Sequence, residues 1–170
     1  NLSQKNPQIY FRNNVLGMYN LLNFADTNNV SFTLVSTDKA VEPINPMGMS
    51  KRLCELVLMS ELALVANKKI VRFGNVLNSS GSVIPIFKDQ IAKGGPILVT
   101  HPDAKRFFMS IGQAVSLVLS TGTLSSGTYI LDMGNSIKIL DLAYNLAAQN
   151  NLRIVDDPQS SEEIEIKYIG

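Results

Sequence analysis

SFTLVSTDKAVEPINPMGMSKR, residues Ser31 to Arg52, passes from a short apolar run into an adjacent acid and base, then two prolines, then a helical pattern. Ser31 to Ser36 reads as a buried strand, and the stretch from about Pro46 to Ala66 as a helix. Upstream, Pro7 suits a first helical turn, and Ile9, Val15, Leu16, Leu21 and Leu22 approximate a stripe that Asp26 to Asn29 ends. Downstream, KIVRF (Lys69–Phe73) is the next strand. Helix, strand, helix, strand at this spacing predicts parallel α/β layering.

Beyond Phe73 the texture changes. NSSGS (Asn78–Ser82) reads as a loop, Pro85 to Lys93 as a short helix, and Gly94-Gly95-Pro96 as a turn before the apolar ILV. RFFMS (Arg106–Ser110) is expected to be one short strand, and Ile111 to Leu119 an amphipathic helix. Ser125-Ser126-Gly127 turns into TYILDM, Ile139 to Ala148 is another helix, and Ile164 to Tyr168 is a final strand.

The totals narrow the function classes. A chain of 170 residues, 45% hydrophobic, can bury one good-sized core. Lys and Arg number 15 against 14 Asp and Glu, so no broad basic face for nucleic acid or anionic lipid is implied. The single Cys54 can build neither a disulfide framework nor a zinc site, and reads as a small core residue in a reduced, cytoplasmic setting. Its two ends, the polar NLSQKNPQ and the strand-like EIEIKYIG, read as those of a piece of a longer protein.

In open α/β sheets, ligands bind beyond the carboxyl ends of the parallel strands. Thr37, Asp38 and Lys39 follow one such strand, and Arg72 to Asn75 end the next, so two neighbouring strand ends converge on one crevice. Met47 and Lys51, four apart, share a helix face, from which Lys51 can reach back toward it. Taken singly, each has a plainer role: Asp38 and Lys39 as a solvated turn, Met47 as core filling, Lys51 and Arg106 as surface cations. His101, the only histidine, sits in a polar HPD turn and reads as structural, with no metal assigned.

Together with RFGNVLNSSGSVIPIF, THPDAKRFFM and LDMG-x-x-x-K-I-L-D-L-A, the motifs STDKAV and P-x-N-x-M-G-x-S-K-R resemble those of a known family. It is the nucleotide-sugar 4,6-dehydratases of capsule and surface polysaccharide synthesis, a branch of the extended short-chain dehydrogenase/reductases. The resemblance runs from Asn13 to the end of the chain. It implies a partial Rossmann-like parallel sheet that lacks its first strands, with a small C-terminal substrate-binding α/β subdomain. Residues 1–80 would then belong to the dinucleotide-binding fold, and residues 81–170 mostly to the UDP-sugar subdomain, with strands returning to the main sheet.

The resemblance also implies roles. Thr37 matches the hydroxyl residue of the family's triad, and Lys51 the lysine that binds the nicotinamide ribose of NAD(P). Met47 stands where most short-chain dehydrogenases have tyrosine, as in the large membrane-anchored dehydratases. A thioether takes no proton from a sugar hydroxyl, so another group or a water must serve as base for oxidation at C4. Lys39 would remove the C5 proton of UDP-N-acetylglucosamine, and Asp38 would protonate the departing C6 hydroxyl. For that, the Lys39 pKa must fall and Asp38 must be protonated, which burial would favour. Asn14, Phe73 and Gly74 match cofactor contacts. Asn75 and Arg106 match residues that hold the UDP diphosphate, and Ser82 and Val83 are placed to offer backbone N–H groups at a helix start.

No glycine-rich dinucleotide turn occurs among the 11 glycines. The resemblance therefore implies a missing N-terminal Rossmann half, a homo-oligomer in the complete enzyme, and a parent that is cytoplasmic or anchored to the inner membrane. Alternatives are a UDP-hexose 4-epimerase, which the Asp38-Lys39 pair and Met47 disfavour, and a non-catalytic nucleotide-sugar-binding module.

Overall fold

The computed structural model describes residues 6–60, 63–77, 79 and 82–170. Residues 1–5 of the polar lead, 61 and 62 of the expected long helix, and 78, 80 and 81 of the NSSGS loop lie outside the described residues. The chain divides into two compact units, Asn1–Gly74 with Ala114–Asp132 and Asn75–Gln113 with Met133–Gly170.

Unit 1 begins with α1 (Pro7–Tyr10), a π-helical stretch (Phe11–Leu16) and α2 (Gly17–Thr27), joined without leaving helical backbone angles. Met18, Leu22 and Ala25 are buried with Val15 packed beside them, whereas Ile9, Leu16 and Leu21 of the expected stripe are exposed. The wide turn takes in an extra residue, so positions before and after it do not keep one helical phase.

Strand β1 (Phe32–Thr37) pairs in parallel with β2 (Lys68–Phe73), which pairs in parallel with a strand later in the chain, Gly127–Ile130. Side chains alternate across this sheet. Leu34 and Ile70 enter the core shared with α2 and α3 (Pro46–Met59), and Ser36 and Arg72 reach Glu55 on that face. Val35 and Phe73 line the opposite face beside Ala114, Val115, Val118 and Leu119.

Asn45 caps α3, its Oδ1 accepting the Gly48 N–H at 2.9 Å, and Pro46 follows in the first turn, where its missing N–H is harmless. The helix stops at Met59, short of the expected Ala66. Ala63 and Val65 are both buried outside any helix, a period-two burial that a continued helix would not give. Cys54 is buried in the core, as its reading as a small core residue expects. Among the described residues β1 has no partner strand on its other edge.

Unit 2 is built from short pairs. β3 (Asn75–Val76) runs parallel to β6 (Phe108–Met109), β4 (Ile97–Val99) to β11 (Ile166–Tyr168), and β9 (Arg153–Ile154) to β10 (Glu163–Ile164). β5 (Lys105–Arg106) is antiparallel to β8 (Ile137–Lys138). Helices α4 (Val83–Ala92) and α6 (Ile139–Gln149) pack around Phe87, Ile97, Val99, Ala143 and Ile164, while α5 (Ile111–Ser120) runs on into unit 1. Two expected single strands are each split. RFFMS divides at Phe107 between β5 and β6, and the final strand divides at Glu165, whose carbonyl accepts the Ile97 N–H. Each half pairs with a different partner, which hydrophobic alternation alone does not reveal.

Gly95 sits at φ +88°, and a Cβ there would lie 2.7 Å from Ile164 Cγ1, so both backbone and packing require glycine.

Candidate functional site

At the end of β1 the backbone enters a single 3-10 turn, Asp38–Ala40. Thr37 Oγ1 donates to Asp38 Oδ1 at 2.8 Å and accepts the Lys39 N–H at 3.4 Å. Lys39 Nζ donates to the same Oδ1 at 2.9 Å. The three residues thus form one local cluster. Thr37 pairs in register with Phe73, which levels the cluster with the end of β2, where Gly74 follows.

Burial alone would raise the Asp38 carboxyl, but hydrogen bonds from Lys39 and Thr37 outweigh it and hold the group below its ordinary value. This corrects the expectation that burial keeps Asp38 protonated. In this structure Asp38 rests as the carboxylate.

Helix α3 closes on the cluster through Gly48. A Cβ at that position would lie 2.5 Å from the Lys39 carbonyl oxygen, so only glycine allows the helix start this near the turn. Gly48→Ala is expected to cost about 1–3 kcal/mol, typical of overpacking, and to displace Lys39. Thermal unfolding of the complete protein, with its activity, checks this; an unchanged melting temperature would show that the turn yields freely.

Met47 and Lys51 lie one turn apart on α3, half-buried. Lys51 Nζ donates to the Val35 carbonyl at 3.1 Å, two residues back from Thr37 on the open edge of β1. Asn14, inside the π-helical stretch, donates through Nδ2 to Ser50 Oγ at 2.8 Å, and that hydroxyl donates to the Met47 carbonyl at 2.8 Å. Asn14 therefore ties the first helix to the turn of α3 that carries Met47 and Lys51. A cleft of about 370 Å³ runs along this edge, lined by Asn13, Asn14, Met18, Leu34, Val35 and Lys51 among others.

One cluster escaped the sequence reading. Glu55, 1% exposed, accepts from Ser36 Oγ at 2.6 Å, Arg72 Nε at 2.8 Å, Arg72 Nη2 at 2.5 Å and Arg52 Nη1 at 3.0 Å. The available signal was an acid, Glu55, one of two with Glu61 that interrupt the apolar run Leu53–Ala66, and a lone arginine in KIVRF. Burial raises the Glu55 carboxyl, and the hydrogen bonds from Arg72, Ser36 and Arg52 outweigh it, leaving the group below its ordinary value. Stability from this group is therefore present above about pH 4.3, the ordinary glutamate value, and is lost as pH falls through the lower folded value. Urea midpoints measured from pH 6 downward are expected to hold until about pH 4 and then drop more steeply than in Glu55→Gln.

In unit 2, Asn75, Val83 and Arg106 line one cavity of about 170 Å³ with Phe87, Leu98 and Thr100 among others. Phe87, Leu98 and Thr100 were assigned no role from the sequence; Phe87 closes RFGNVLNSSGSVIPIF, Thr100 opens THPDAKRFFM, and Leu98, on β4, lies in neither motif. Ser82 precedes α4, and its Oγ is buried without a hydrogen-bond partner among the described residues. Val83 opens the helix, so the first-turn N–H groups follow directly. His101 Nδ1 accepts the Asp103 N–H at 3.1 Å within its turn. Among the described residues no group of three or more His, Cys, Asp or Glu is placed to hold a metal, and no helix is long and apolar enough to cross a membrane.

The sequence matches the family described as "Polysaccharide biosynthesis protein" over residues 1–170. It is 45% identical over 178 residues to the capsular polysaccharide biosynthesis protein CapD of Staphylococcus aureus, a match spanning 99% of this chain and 28% of that one. The X-ray structure of Pen from Bacillus thuringiensis superposes with a TM-score of 0.76 at 30% identity, over 92% of this chain and 48% of that one. DesIV, a dTDP-glucose 4,6-dehydratase from Streptomyces venezuelae with NAD and TYD bound, shares the fold at 19% identity and a TM-score of 0.72, over 98% of this chain and 60% of that one. The shared fold is Rossmann-like, of the extended short-chain dehydrogenase type. The chain spans under a third of the length of CapD.

Proposed function

We propose that this chain, which belongs to the polysaccharide biosynthesis protein family, carries the elimination chemistry and the UDP-binding groups of a 4,6-dehydratase acting on UDP-N-acetylglucosamine. The observation that carries the reading is the Thr37-Asp38-Lys39 cluster at the end of β1, level with Phe73.

Elimination across C5 and C6 needs a base for the C5 proton and an acid for the C6 hydroxyl, close to one bond. Lys39 is assigned the first role and Asp38 the second. Asp38 rests as the carboxylate and must gain a proton before it can act as the acid. Moving a proton from Lys39 Nζ to Asp38 Oδ1 makes both groups neutral with no change in net charge. Substrate that excludes water from the turn favours the neutral pair, because charged groups lose most on desolvation. Thr37, hydrogen-bonded to Asp38, holds the acid in place. Met47 has no acid–base capacity, and the C4 hydroxyl must be deprotonated by another group or a water.

NAD(P) supplies, when bound, the acceptance of hydride from C4 and its return at C6. The residues present suit its nicotinamide end: Lys51 is assigned as the ribose-binding cation with Asn14 in the same cleft, and Phe73 and Gly74, at the end of β2, are assigned as further cofactor contacts. The chain has no glycine-rich turn for the adenosine and pyrophosphate, and we assign those to a Rossmann half elsewhere in the complete protein. The edge of β1 that has no partner strand among the described residues supports this, since native sheets cover, shorten or charge their edge strands. In unit 2, Asn75 and Arg106 are assigned to the diphosphate, and Ser82 and Val83 to anion contacts at the start of α4.

The test is product analysis of the complete protein with UDP-N-acetylglucosamine and NAD+. A sugar nucleotide lighter by one water supports the dehydratase. A product of unchanged mass with inverted C4 would establish the epimerase instead, and binding without any product would leave a binding module.

A further inference from the structure

We infer that Glu55 is a positioning residue for Lys51 and Met47, acting through Arg72 and Ser36; this rests on the dehydratase reading above. Glu55 lies four residues after Lys51 on α3, one helical turn farther from the cluster. Its two strand partners, Ser36 buried and Arg72 partly buried, each immediately precede a strand-end residue of the site. Ser36 precedes Thr37 on β1, and Arg72 precedes Phe73 on β2. One carboxylate thus fixes α3 against both strands at the level where the chemistry begins.

Apart from the hydrogen bond of Lys51 Nζ to the Val35 carbonyl, the remainder of that contact is apolar: Leu34, Cys54, Leu58 and Ile70. Apolar side chains of similar size tolerate several helix settings, losing uniqueness before stability. A carboxylate that accepts three hydrogen bonds from the two strands, one from Ser36 and two from Arg72, does not, because a shift of α3 leaves those donors unpaired. Buried ion pairs contribute weakly to stability relative to apolar replacements, and fixing register is their best-attested use. A displacement of about 1 Å at a reacting group costs on the order of a hundredfold in rate.

The experiment replaces the pair together in the complete protein, Glu55→Met with Arg72→Met, so that neither charge is left buried alone. Glu55→Asp, which keeps the charge on a shorter arm, serves as the conservative variant. The paired variant is expected to unfold within a few degrees of wild type and to lose at least tenfold in kcat, with KM for UDP-N-acetylglucosamine within about twofold. Its crystal structure is expected to show the Cα of Lys51 moved relative to that of Thr37, and Glu55→Asp is expected to keep more activity than the pair. A paired variant that folds with kcat within twofold of wild type, or whose α3 has not moved, overturns the inference. If the wild-type protein performs no dehydration, the dehydratase reading fails by itself, and the measured position of α3 still decides the role of Glu55.

Discussion

Lys39→Ala in the complete protein is expected to lower dehydration of UDP-N-acetylglucosamine by about a hundredfold or more while oxidation at C4 continues. A well-placed general base contributes at least that factor. Lys39 Nζ is held 2.9 Å from Asp38 Oδ1 on a turn fixed by Thr37 and by the close approach of Gly48, so alanine removes the proposed base without disturbing the helix beside it. Oxidation without elimination leaves reduced cofactor standing on the enzyme, visible in its absorbance. Loss of product together with that accumulation separates a missing base from a misfolded site. Dehydration at the wild-type rate would remove Lys39 from the mechanism.

The second large effect is on stability. Arg72→Ala is expected to cost about 3 kcal/mol, the lower end of the range for breaking a buried pair, because Arg52 still contacts the stranded Glu55 carboxylate. At roughly 2–4 °C per kcal/mol for a domain of this size, the melting temperature should fall by about 10 °C. Arg52 is the contrasting control. Its side chain is 41% exposed, so Arg52→Ala should cost no more than about 1 kcal/mol. Equal losses from the two variants would mean that the buried geometry confers nothing beyond a surface ion pair.

Much of unit 1 was legible because its signals are local. A strand that stops at an acid–base pair, and a helix opening at about Pro46, follow from local pattern and chain stiffness, and the structure sets both within a residue or so of the expected positions. The π-helical stretch at Phe11–Leu16 was not legible, since its wide turn has no residue signature and is stabilised by contacts such as Asn14 with Ser50. The end of α3 at Met59 was missed for a related reason. Leu64, Val65 and Ala66 suit a helix locally, but the core takes Ala63 and Val65 two apart.

The same distinction holds at the site. Thr37, Asp38 and Lys39 are contiguous, and the structure joins them by hydrogen bonds as their adjacency invites. Glu55, Ser36 and Arg72 come from three elements, and only the register pairing Ser36 with Arg72 brings them to one carboxylate. The charge state of Asp38 was misjudged because burial was weighed without its two hydrogen-bond donors.

The most direct test of the account is to incubate the complete protein with UDP-N-acetylglucosamine and NAD+ in deuterated water and to read the product by NMR. The expected product is a 4-keto-6-deoxy sugar carrying solvent deuterium at C5, with Lys39→Ala abolishing both the label and the product. A C4 epimer without deuterium at C5 would contradict it and assign the chain to the epimerases.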